Sequence, residues 1–212
     1  GKDDEIEVQR LSWVRGPLGT RLEALRGRLV AGDSTTFKLD ELRTPDLALS
    51  AAGGWRRGAP ARFAAVDLQR VRWRWLAKVF TNAFFDVPGE GSGRFDMRFD
   101  RAISGTGVAE AVWDSVPLKA RAGFRWERGQ LTIAPLDGTS PAGAFSGRVV
   151  YTAKDLDLRG RVTHGNPVFW GAIGLAGWPA GDLTGEMHYW SWREAPAGSR
   201  FEAGLGASEL AG

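Results

Sequence analysis

Residues 117–133, PLKARAGFRWERGQLTI, separate by parity into two chemistries. Leu118, Ala120, Ala122, Phe124 and Trp126 fall on one side, and Lys119, Arg121, Arg125 and Glu127 on the other. A period of two is that of a β-strand with one dry face and one solvated face. At about 3.3 Å per residue, eleven such residues reach roughly 36 Å, far beyond a strand of five or six. So long a ladder must turn its apolar side toward a second sheet or toward something the protein carries.

The same alternation extends outward in both directions. Phe37 and Leu39, Leu47 and Leu49, and Val66 and Leu68 each share a parity, as do Phe95, Met97 and Phe99 against Arg94, Asp96 and Arg98. Leu131 and Ile133, Val149 and Tyr151, then Leu156, Leu158 and Val162 continue it. Phase changes, as between Leu68 and Val71, are expected at bulges or turns. Turn chemistry is read at Gly53-Gly54, Arg128-Gly129 and Asp137-Gly138, a spacing typical of all-β proteins. Two apolar stretches lack alternation. In Trp75–Phe85 and Asn166–Gly177, helical spacing links Leu76, Val79 and Phe80, and links Phe169 with Ile173, while Asn166-Pro167 makes a helix start. Both run into a Pro-Gly turn and a strand. Aligning Gly93 with Gly185 sets Phe95 on Met187 and Met97 on Tyr189, an internal repeat of roughly ninety residues.

The organisation read from this is a β-unit over 1–65, a helix-started β-repeat over 66–162, and the start of a second such unit over 163–212. Because it begins at Gly1 without a Met, the chain is expected to be a piece of something longer. Among 212 residues, 28 Lys and Arg stand against 25 Asp and Glu, a net charge of +3 too thinly spread for nucleic acid but mildly favouring an anionic membrane. The absence of Cys excludes disulfides and thiolate zinc. The uncharged run Pro167–Gly181 is too short to span a bilayer.

Residues for chemistry are sparse. His164 and His188 are the two histidines, with neither a G-x-S-x-G elbow nor H-x-x-x-H spacing, and read as surface residues rather than a triad or metal site. Gly105-Thr106-Gly107 and the GEGSG of 89–93 read as turns; no Walker lysine follows the latter. Asp96, Asp100, Glu110 and Asp114 read as the solvated side of strands rather than a glycosidase pair. No enzyme and no cofactor are expected. Ten tryptophans are spread along the chain; a core role is the first reading, with sugar stacking or an apolar lining as rivals.

The cadence of LRGRL (25–29), FSGRV (145–149) and LRGRV (158–162) resembles that of AsmA-like and TamB-like bacterial envelope proteins. So do FKLDELRTPDLALSAAGGWRRG (37–58), VPGEGSGRFDMRFD (87–100) and GNPVFWGAIGLAGWPAGDLTGEMHY (165–189). The resemblance spans about residues 8–205. It implies an all-β, elongated and curved sheet, taco-like with an open groove, with one or two short helices between repeat units. It further implies a periplasmic location, an inner-membrane anchor in the same full-length chain, an outer-membrane partner protein, and a groove conducting phospholipid acyl chains between membranes. The candidate lining is Phe95, Met97, Phe99, Leu118, Phe124, Trp126, Leu131, Ile133, Val149, Tyr151, Leu156, Leu158 and Val162. A carbohydrate-binding module with exposed Trp and a structural spacer with a closed core are the alternatives.

Overall fold

A long parity ladder needs a partner strand of equal length at each flank, and the chain supplies one at every turn. In the computed structural model, which describes residues 4–13, 21–80, 88–113, 115–152, 154–168, 182–192 and 195–207, the protein is all-β. The strands of the first part are β1 (Asp4–Trp13), β2 (Leu22–Ala31), β3 (Ser34–Arg43), β4 (Leu47–Arg56), β5 (Arg62–Arg72) and β6 (Gly89–Phe99). They are followed by β7 (Ile103–Trp113), β8 (Val116–Glu127), β9 (Gln130–Ser140), β10 (Gly143–Tyr151), β11 (Asp155–Gly165), β12 (Leu183–Trp192) and β13 (Ala195–Ala207). One helix, α1 (Trp73–Phe80), interrupts them. The strands form one antiparallel sheet in strict chain order, β1 through β13, that does not close on itself. By contacts the chain falls into two units, 1–109 and 110–212.

The opening stretch is β8, its Arg128-Gly129 turn and the start of β9. Arg128 and Gly129 both take positive φ, 51° and 81°, the conformation a two-residue hairpin turn requires. The other expected turns are corrected. Gly53-Gly54 lies within β4, Asp137-Gly138 within β9, Gly105-Thr106-Gly107 within β7, and the GEGSG of 89–93 opens β6. These glycines serve close strand approach instead. A Cβ on Gly53 or Gly107 would come closer than 3.0 Å to a neighbouring carbonyl and to the ring of Phe37 or Phe95.

Phase changes in the sequence are bulges. Val71 faces Leu47 and Leu68 faces Leu49, leaving an extra residue in β5 between them. Ala134 and Pro135 together oppose Gly123, so Pro135, which has no N–H to give the ladder, sits where the ladder is already broken.

The helices follow a repeated corner. Thr44 Oγ1 accepts from Leu47 N at 3.0 Å and from Asp46 N at 3.3 Å, and Arg72 N donates to the Asp46 carbonyl at 2.9 Å just before α1. In the second unit Ser140 Oγ accepts from Ala142 N at 3.1 Å, and Asn166 N donates to the Ala142 carbonyl at 2.9 Å just before the helical residues Pro167 and Val168. The registers match as well. Leu68 opposite Gly93, Val66 opposite Phe95 and Ala64 opposite Met97 correspond to Val162 opposite Gly185, Gly160 opposite Met187 and Leu158 opposite Tyr189. The expected helix over 75–85 thus starts two residues earlier; residues 81–87 and 169–181 lie outside the described residues.

Burial is thin. Val162 is fully buried and packs with Val116, Ala142 and Met187, flanked by Leu118, Phe145 and Leu158. No described tryptophan is buried, so the core reading of these residues is corrected.

Candidate functional site

Each strand delivers alternate residues to the same face, and antiparallel register lines these residues up across strands. In the second unit Phe124, Ile133, Val149, Leu158 and Tyr189 form one such row through β8–β12. Trp126, Leu131, Tyr151 and Leu156 form the next row. Beyond the first row, on the same face, lie mixed rows of small and large residues, Ala122, Leu136, Gly147 and Gly160 in one and Ala120, Gly138, Phe145 and Val162 in another. Leu118 shares the parity of Ala120, and Val162 stands opposite Phe145. All ten candidate residues of this unit therefore share one face.

The first unit repeats the arrangement. Leu25, Leu42, Leu49 and Leu68 cross β2–β5 in a single row. The adjacent row holds Gly27, Leu39, Ala51, Val66 and Phe95, and the next holds Leu29, Phe37, Gly53, Ala64 and Met97. Phe99 lies opposite Arg62, whose guanidinium stands 5.0 Å from the Trp55 ring and gives this end of the face a charged rim. Phe95, Met97 and Phe99 belong to this unit. The candidate lining lacks the β2–β5 residues of the first unit's rows, and Leu136, Phe145 and Tyr189 of the second; carrying parity across the bulges at 40–41 and 134–135 finds Leu42 and Leu136.

These faces are apolar but little covered. Apart from Leu156 and Val162, every candidate residue remains half-buried or, for Trp126 at 37 %, exposed. A facing sheet would bring such side chains close to full burial. Among the described residues, the extensive element contacts within each unit are those between neighbouring strands, and α1 adds smaller ones with β5 and β6. Phenylalanine rings lie low over glycines, Phe37 over Gly53, Phe95 over Gly107 and Phe145 over Gly160, which keeps the layer of side chains thin.

The opposite face is ionic. Lys38 pairs with Asp40 at 2.8 Å, Lys119 with Glu110 at 3.0 Å and Arg161 with Glu186 at 3.6 Å. Asp157 receives Arg159 Nε at 3.0 Å and stands 3.2 Å from His188 Nε2, while the His188 ring lies 4.2 Å from that of Trp190. The Arg159 hydrogen bond holds the Asp157 carboxyl below its ordinary value of 3.8. His164 lies 3.4 Å from Asp182 on the surface. A depression of about 540 Å³ opens on β3–β6 between Lys38 and Asp40 on one side and Asp67 and Arg94 on the other, floored by Ala52 and Ala65. Its charged walls do not suit an acyl chain, and of the candidate lining it touches Phe95 alone.

Among the described residues no group of three or more His, Asp or Glu is placed to hold a metal, and no helix is long and apolar enough to cross a membrane. No family model, curated protein or solved structure matches this chain.

Proposed function

We propose that the apolar face of this sheet holds phospholipid acyl chains, and that the protein is a β-groove segment of an AsmA-like or TamB-like envelope protein carrying lipid between inner and outer membranes. The supporting observation is the continuity of the apolar rows across successive strands at half-burial, with no facing layer within either unit among the described residues. Each CH₂ withdrawn from water onto such a face contributes about 0.8 kcal/mol, so a row of methyls and rings is enough to retain an alkyl chain. The rows cross the strands, so successive strands offer a chain one equivalent site after another. Such a lining needs no reactive residue, in keeping with an expected role in transport rather than catalysis. On this reading the protein works in the periplasm of a diderm bacterium, with an inner-membrane anchor elsewhere in its full-length chain and an outer-membrane partner.

A photo-crosslinking residue placed at Phe124 in protein expressed in bacteria is expected to capture phospholipid, and one at Arg125 to capture much less. Equal labelling at both positions, or none at Phe124 together with lipid-free native mass spectra, overturns the proposal.

A further inference from the structure

Helix α1 is the one described element that leaves the sheet, and its composition is one-sided. Its eight residues, WRWLAKVF, hold two cations, Arg74 and Lys78, no acid, and five large apolar residues. No acidic residue occurs between Asp67 and Asp86, whereas Arg70, Arg72, Arg74 and Lys78 fall within nine positions. The helix packs on β5, from which it continues, and on β6. Trp75 and Leu76 are left half-exposed rather than sealed against the sheet.

Its base is nonetheless fixed. Asp46, itself 8 % exposed at the Thr44 corner, accepts from Arg74 Nε at 2.6 Å and lies 3.7 Å from Arg72 Nη1. Arg72 also lies 3.9 Å from Glu90. The Arg70 Nε is buried without a hydrogen-bond partner. Arg72 and Arg74 thus meet the two carboxylates, and the Arg74 side chain remains 58 % exposed although it is paired. A helix tied to the sheet at its base, carrying two cations and no acid among Trp, Leu, Val and Phe, has the makings of an interfacial helix. Its cations meet lipid phosphates while its rings enter the headgroup boundary.

We infer that α1 docks this protein onto an anionic membrane surface. This goes beyond acyl-chain carriage and does not require it. Charge selects a bilayer over a second copy of the chain: a second copy would present the same cations, and like charges would face each other across the contact.

The test is sedimentation of the 212-residue chain with vesicles of phosphatidylcholine, with and without added phosphatidylglycerol. Binding is expected only with the anionic lipid, and is expected to weaken as salt rises. Lys78→Glu is expected to reduce it about tenfold or more, since each cation near an anionic surface contributes on that order. Trp75→Ser combined with Leu76→Ser is expected to abolish it, while Lys119→Glu, an equal charge change on β8, leaves it within about twofold. Far-UV circular dichroism of each variant checks that the sheet persists. Equal binding to neutral vesicles, or equal losses from Lys78→Glu and Lys119→Glu, overturns the inference. So does self-association that disappears in the Trp75/Leu76 variant. Crosslinking at Phe124 is read separately: a variant that no longer sediments yet still captures lipid leaves the carriage proposal standing, and the reverse leaves docking standing alone.

Discussion

Asp157 lies near the start of β11 on its ionic side, with Arg159 two positions along its own strand and His188 across on β12. Because Arg159 bonds its charged form, its folded-state pKa lies below the ordinary 3.8. A lowered carboxyl pKa stabilises the fold above the unfolded value, and that contribution fades as pH falls below 3.8 through the folded value. The side chain is 31 % exposed, so solvent screening limits the effect to about 1 kcal/mol or less. Asp157→Asn is therefore expected to lower stability slightly at neutral pH and to flatten its decline below pH 3.8, measured by urea unfolding at each pH. An acid profile identical to that of the parent protein would show that the carboxylate carries no linked stability. Val162 is the contrasting residue. It is fully buried between Phe145 and Gly185, at the centre of the small cluster with Val116, Ala142 and Met187.

At the scale of an element, the strands are held close by glycine. Gly147 and Gly160 stand directly opposite each other, and a Cβ on Gly160 would come closer than 3.0 Å to the Ser146 carbonyl and to the Phe145 ring. Gly160→Ala must therefore displace backbone, and a loss of roughly 1–3 kcal/mol is expected. Gly204→Ala on β13, where a new Cβ meets nothing within 4 Å, is expected to be neutral or slightly stabilising. Comparable losses in the two variants by thermal unfolding would show that close strand approach is not what Gly160 provides. The same glycines mark where sequence reading succeeds and where it stops. Parity alone places Phe95, Met97, Phe124 and Val149 on apolar faces, because a period of two survives whatever the strand pairs with. Leu42 and Leu136 escape it because a bulge reverses parity within a strand and leaves little local trace beyond Pro135. Gly53-Gly54 and Asp137-Gly138 read as turns because glycine and Asp-Gly favour turns locally. Tertiary approach, invisible at that range, uses the missing Cβ of Gly53 to admit Phe37 instead. The corner at Thr44 and its counterpart at Ser140 were legible only as Thr-Pro and Ser-Pro pairs, since their identity lies in hydrogen bonds to Arg72 and Asn166, far along the chain.

For the whole molecule, strict chain order has a mechanical consequence. Every strand takes its ladder from the strands before and after it in sequence, and the contacts that define a unit stay within that unit. Stability in such an array is approximately a sum over neighbouring pairs rather than the property of a shared core. A lesion should be felt within its own unit and fade with strand number. Val162→Ala removes two methyl-sized groups from the best-buried point of residues 110–212 and is expected to cost roughly 1–3 kcal/mol there. Hydrogen exchange read by mass spectrometry should then show faster exchange in β10, β11 and β12, whose side chains form or border the Val162 cluster. Amides of β2–β5 should exchange at the parent rate, because no strand of that set pairs with one of these. The same locality would give the proposed acyl-chain carriage a physical basis, since a face assembled from separable neighbours can admit a ligand at one place without unfolding at another. Equal acceleration in β2–β5 would show one cooperative block, and would remove that basis for passing a chain from row to row.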